Sequence, residues 1–247
     1  MKPKKTTIPM SFHIQKTAIA ALCATFVANF PMPATAQWGA SPAFENSCRT
    51  RLGATQIRVR VAPSNMVYRY DESVSQLTRR AQTGRNSQFT LGVTDAGFYS
   101  KASIGGVTLE DKTAGLACTR PMIDIEIGVG PQKISIGREF PSGTCSHNEI
   151  MEHELSHARA NQQVAESIGP RMQQGLNDAY GQQIFYGTKQ QLQGMIQSNI
   201  ESQWLSWAQA EFHAVDALHE KIDNTAEYAR MSTMCNGEAS RILRGQH

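Results

Sequence analysis

Beyond residue 30 the chain has no apolar run long enough to span a bilayer, a crossing that takes about 20 predominantly apolar residues in a helix. No Cys-x-x-Cys pair occurs, which argues against a structural zinc site built from four cysteines. No internal repeat is present, so a solenoid or array is excluded. Acidic residues are missing from the first 36 positions, where Lys2, Lys4, Lys5 and Lys16 carry the only charges. An apolar stretch over residues 17–30 follows those lysines, then Pro31, Met32, Pro33, Ala34, Thr35 and Ala36. That order of basic, apolar and small residues predicts an export signal over residues 1–36, cleaved after Ala36. Cys23 follows Leu22 rather than a small residue, so a lipid anchor is not expected there. The remaining chain is expected to be secreted or periplasmic, with no transmembrane segment after cleavage.

An excess of charge of one sign is also lacking. Of the 24 Lys and Arg, four leave with the signal, so 20 stand against 21 Asp and Glu. A near-neutral protein has no electrostatic attraction to the phosphate backbone, and nucleic acid is not expected as a partner. Four cysteines remain, Cys48, Cys118, Cys145 and Cys235. An even number in an exported chain predicts two disulfides, with three pairings open.

What the chain does have is His153-Glu154-Leu155-Ser156-His157. Residues four apart share a helix face, so both imidazoles can reach one metal ion. Glu154 points off that line, where its carboxylate can accept a proton from water acidified by the metal. Ser146 and Glu149 form a capping-box pattern ahead of the motif, and Gly169-Pro170 predicts the end of the helix. Ile150, His153, His157, Ala160 and Val164 recur at helical spacing as one inward stripe.

A catalytic zinc site needs a third protein ligand. Trp204, Trp207, Glu211, Val215, Leu218 and Ile222 follow helical spacing, placing Glu211 inside an apolar stripe where coordination would compensate its buried charge. Glu211 is therefore the expected third metal ligand; a rotated helix would substitute Asp216, and His213 or His219 are further ligand-type residues on it. His219 and Tyr228 are the residues considered for stabilising a developing oxyanion.

His153, Glu154 and His157 resemble the zincin metallopeptidases of the gluzincin kind, with Glu211 standing for that class's downstream Glu. The order of features is also similar to exported bacterial proteins described only as Zn-dependent proteases. Ala160 and Gln163 occupy positions where metzincins carry Gly and His, which excludes that subclass, and a clear Glu with Asp four residues later is missing from the second helix. The resemblance implies a zincin-like α+β fold, Zn2+ as cofactor, a peptide or protein substrate, and endopeptidase activity with Glu154 as general base. The alternatives are a secreted zinc-binding or cell-envelope protein without turnover, and a metal-dependent hydrolase of cell-wall peptides.

The rest of the pattern fits one domain over residues 37–247. Period-two segments at 57–61, 66–70, 89–93, 107–109, 123–127 and 133–136 predict a largely antiparallel, β-rich lobe over 37–144. The last of these strands is expected to bind extended peptide on a free edge. From Cys145 the period becomes 3.6, and the Gln-rich stretch 162–209 carries buried faces, so 145–247 is expected to be a helical lobe.

Overall fold

A computed structural model describes residues 39–81 and 89–245. The expected export signal lies outside the described residues. The fold is mixed α+β, and no described helix is long and apolar enough to cross a membrane.

After helix α1 (Pro42–Arg51) come strands β1 (Gln56–Ala62) and β2 (Met66–Arg69), helix α2 (Val74–Ala81), and strands β3 (Gly92–Asp95), β4 (Phe98–Asp111), β5 (Leu116–Val129) and β6 (Gln132–Ile136). Helix α3 (Cys145–Tyr180) follows, then β7 (Phe185–Gly187) and α4 (Lys189–Asn199). A π-helical stretch (Ile200–Leu205) joins α4 to α5 (Ser206–Phe212), before α6 (Val215–Ile222) and α7 (Thr225–Leu243).

The strands form two small sheets rather than a largely antiparallel one. In the first, β5 pairs with β1 in parallel and with β4 and β7 antiparallel; in the second, β6 lies between parallel β2 and antiparallel β3. Alternation of side chains is a property of a single strand, whereas its direction depends on which neighbour it meets, so the pattern carried no information on parallel pairing. The alternation itself is borne out in β5. Ile123, Ile125 and Ile127 are buried, while Asp124 and Glu126 face solvent and pair with Arg58, Arg60 and Lys101. The central place of β6 corrects the expectation that it binds peptide, because β2 and β3 already occupy both of its edges.

Helix α3 crosses both sheets. Its second half packs Val164, Ile168, Met172 and Leu176 on the isoleucines of β5, and its first half packs Ile150 and Ala158 with Ile134 and Ile136 of β6. The helix begins at N-cap Thr144, whose hydroxyl accepts from the His147 N–H at 3.3 Å. Ser146 has another use: its N–H and hydroxyl both donate to the Glu238 carboxylate, at 2.8 and 2.6 Å. Nor does the helix stop at Gly169-Pro170. Pro170 sits inside it, and a Cβ on Gly169 would lie 2.5 Å from Val61 Cγ2, so the glycine serves close approach to β1 rather than termination.

Two disulfides, Cys48–Cys118 and Cys145–Cys235, tie α1 to β5 and the start of α3 to α7. They suit an oxidising compartment.

Candidate metal centre

The two motif histidines project from α3 towards the connection between α6 and α7. Asp223 ends α6 there, its N–H bonded to the His219 carbonyl at 2.8 Å and its backbone at φ −84°, ψ 44°. Asn224 caps the next helix by accepting from the Glu227 N–H at 2.9 Å. This abrupt stop and restart carries the Asp223 carboxylate back over α3. Its Oδ1 lies 3.1 Å from His153 Nε2 and 3.2 Å from His157 Nε2, and those two nitrogens are 3.2 Å apart. His153, His157 and Asp223 thus form a group that could hold a metal ion.

A second layer surrounds the three atoms. Glu227 Oε1 faces His153 Nδ1 at 3.2 Å, and Arg230 holds both Glu227 oxygens while reaching Glu149 of α3 at 2.6 Å. Behind His157, its Nδ1 meets His219 Nδ1 at 2.8 Å, and His219 Nε2 meets Asn161 Oδ1 at 3.1 Å. Glu154 lies between α3 and β3, close enough to His153, His157 and Asp223 to interact with their charges. Its carboxylate accepts from the Thr94 hydroxyl at 2.7 Å, and a Cβ on Gly92 would come within 2.7 Å of Oε1.

Charge follows from these surroundings. Burial would raise the Asp223 pKa, but hydrogen bonds from His153 and His157 outweigh it and hold the carboxyl far below the usual range. Burial works to lower the His153 pKa, yet Asp223, Glu154 and Glu227 raise it overall. A positive charge at this position, proton or metal, is therefore favoured. Glu154 is shifted upward, because burial on all sides outweighs the opposing pull of His157 and the Thr94 hydroxyl. A buried carboxyl that holds its proton more readily than usual is suited to accepting one.

The structure brings His153, Glu154 and His157 together and leaves Glu211 out. Glu211 Oε2 is 2.6 Å from Arg171 Nη1, on the part of α3 beyond the motif, and a third of its side chain is exposed. The physical reason is that Ala208 and Phe212 fill the buried face of α5, which leaves Glu211 at the edge of that face. His213 and Asp216 flank the junction of α5 and α6 and face each other, exposed, at 3.8 Å. His219 sits behind His157 rather than within the group of three, and Tyr228 lies on α7 with its side chain about half exposed.

Sequence reasoning missed Asp223. It lies after the apolar stripe, in Ile222-Asp223-Asn224, which reads as the end of a helix. A usable signal was present: His219, Asp223 and Glu227 are spaced by four, and all three surround the two motif histidines. The other cluster of ligand-type residues, Cys145, Cys235 and Glu238, is a disulfide with a helix-capping carboxylate, and its sulfurs are not available as thiolates. Comparison of the chain with protein families, curated proteins and solved structures returns no match.

Proposed function

We propose that the protein is an exported zinc-dependent peptidase, with His153, His157 and Asp223 as metal ligands and Glu154 as general base. The observation that carries this reading is the triangle of His153 Nε2, His157 Nε2 and Asp223 Oδ1, whose edges are 3.1, 3.2 and 3.2 Å. Tetrahedral zinc with bonds of about 2.0–2.2 Å spaces its ligand atoms about 3.3–3.5 Å apart, so the three atoms need to part by only a few tenths of an ångström. Two nitrogens and one oxygen suit zinc better than calcium or magnesium, which prefer all-oxygen sites. Three protein ligands would leave a fourth position open, the arrangement of catalytic rather than structural zinc.

Zinc at such a centre supplies Lewis acidity, lowering the pKa of water and polarising a carbonyl. The chain's own groups do the remainder. Glu154 takes a proton from the attacking water and returns it to the leaving amine. Thr94 and Gly92 hold the Glu154 carboxylate against β3. Glu227 fixes the ring of His153, and Arg230 in turn fixes Glu227.

The edge of β3, which has no strand on its outer side among the described residues, would give a seat for substrate. Gly137 N–H donates to the Leu91 carbonyl at 2.9 Å, in register with the β3–β6 ladder. Antiparallel alternation then directs the backbone groups of Gly92 and Thr94 to the side away from β6. An extended peptide added there as a strand would run beside the residues that hold Glu154.

Metal content of the purified protein tests the centre, and a casein or peptide-library assay of Glu154→Gln tests the chemistry. About one zinc per chain in both proteins, with turnover reduced about 10²–10⁴-fold in Glu154→Gln, is the expected result. Zinc in both with no turnover in either would leave a metal-binding protein without peptidase activity. Turnover of cell-wall peptides in place of unfolded protein would redirect the substrate assignment.

A further inference from the structure

Gln132 opens β6 and is fully buried. Its Nε2 is 3.0 Å from the Ala158 carbonyl, and its Oε1 is 2.8 Å from Asn161 Nδ2. A backbone carbonyl can only accept a hydrogen bond, so the Gln132 atom facing it is the NH2 group and the atom facing Asn161 is the oxygen. Asn161 must then present its NH2 group to Gln132 and its oxygen to His219. An amide oxygen also only accepts, so the proton between Asn161 and His219, 3.1 Å apart, sits on His219 Nε2. The ring nitrogens of His219 face an amide oxygen and a second imidazole. Neither neighbour is a charged acceptor, and the neutral ring satisfies both contacts. With its one proton on Nε2, His219 can only accept at Nδ1. The 2.8 Å contact between the two Nδ1 atoms is therefore a donation from His157.

A His157 ring carrying one proton, held on Nδ1, directs its Nε2 lone pair at the group formed with His153 Nε2 and Asp223 Oδ1. We infer that the buried Gln132–Asn161–His219 chain fixes the direction of every hydrogen bond behind His157, making His219 a positioning residue that keeps His157 Nε2 free to bind a metal ion. The inference rests on the reading of His153, His157 and Asp223 as a metal centre. Its anchor, however, is the Ala158 carbonyl, whose polarity does not depend on that reading. The geometry also accounts for two buried side-chain amides that would otherwise be costly among apolar residues. His153, His157 and Asn161 recur every four residues on α3, so one helix face carries both ligands and the middle member of the chain behind them.

The experiment is a long-range 1H–15N spectrum of the imidazole nitrogens in histidine-labelled protein, with and without one equivalent of Zn2+. A proton on Nε2 and none on Nδ1 of His219 is expected in both samples, with His157 protonated at Nδ1 when zinc is present. Chelator competition then measures Zn2+ affinity. His219→Leu should bind about 10–100-fold more weakly, as other losses behind a ligand do. His219→Asn, whose side-chain oxygen overlies Nδ1 and can accept from His157, should recover a large part of that loss. A proton on His219 Nδ1 in the unaltered protein would overturn the inference without recourse to any variant, as would undiminished Zn2+ affinity in folded His219→Leu. Failure of the unaltered protein to bind zinc would instead remove the metal centre, while the position of the His219 proton would still decide the direction of the chain.

Discussion

Replacing Asp223 by alanine separates the proposed centre of His153, His157 and Asp223 from the one expected from helical spacing. Structural zinc sites with four protein ligands bind with about 10–16 kcal/mol, so one ligand is worth roughly 3–4 kcal/mol. That corresponds to roughly 10²–10³ in Kd. Asp223→Ala also leaves His153 facing one carboxylate fewer, Glu227 alone at 3.2 Å, which lowers the negative charge available to any cation. Glu211→Ala makes a matched control. Its carboxylate pairs only with Arg171, half exposed at the protein surface, and such pairs contribute about 0–1 kcal/mol to stability. Zinc affinity by chelator competition should therefore fall at least about a hundredfold in Asp223→Ala and stay unchanged in Glu211→Ala. Thermal unfolding gives a second readout, because at 100 times Kd a bound ion stabilises the fold by about 2.7 kcal/mol. Unaltered zinc affinity in Asp223→Ala, or its loss in Glu211→Ala, would refute the assignment.

A zinc ion at the proposed centre would compete with a proton for His153. Its pKa is raised, so below that raised value affinity should fall by about a further tenfold per pH unit, and it should level off at higher pH once the ring is neutral; zinc titrations between pH 5 and 8 read this directly. A Cβ at Gly92 meets Glu154 Oε1 at 2.7 Å and Ile150 Cγ2 at 2.8 Å, so Gly92→Ala should destabilise by about 1–3 kcal/mol and displace the base, lowering kcat more than zinc content. Gly169→Ala meets Val61 Cγ2 at 2.5 Å, and its overpacking, also about 1–3 kcal/mol, should exceed the gain of about 1 kcal/mol from alanine's helix propensity, giving a lower Tm. The two disulfides span 90 and 70 residues, so loop closure assigns each about 4–5 kcal/mol. Only loss of Cys145–Cys235 should also weaken zinc binding, since that bond anchors the helix bearing Glu227.

Legibility in the sequence divided according to range. The motif helix, the isoleucine alternation of β5 and the existence of two disulfides depend on local periodicity or on counting, and these were readable. Strand direction and cysteine pairing depend on partners remote in the chain, and local pattern does not encode them. Glu211 shows a different failure. Its place in the stripe required position 211 to lie on the buried face, whereas Ala208 and Phe212 fill that face and Glu211 pairs with Arg171 at its edge. Adjacent helical positions lie about 100° apart, so Phe212 is buried while Glu211 stands at the rim.

The packing of α6 explains why Asp223 lies beyond the stripe. Val215 and Leu218 of α6 pack into the main core with Ile222 at the end of the helix, and this fixes the rotation of α6 about its axis. His219 then falls beside His157. One turn further on, the helix ends at Asp223 and can deliver a carboxylate from a chain reversal rather than from a helix face. The reversal that presents the Asp223 carboxylate is followed at once by the Asn224 cap of α7, and Arg230 of α7 joins Glu227 to Glu149 of α3, so the position of the carboxylate depends on α7 docking against α3. The apolar stripe thus locates Asp223 without containing it: packing of α6 sets the axial position at which the residue capping it meets the two histidines.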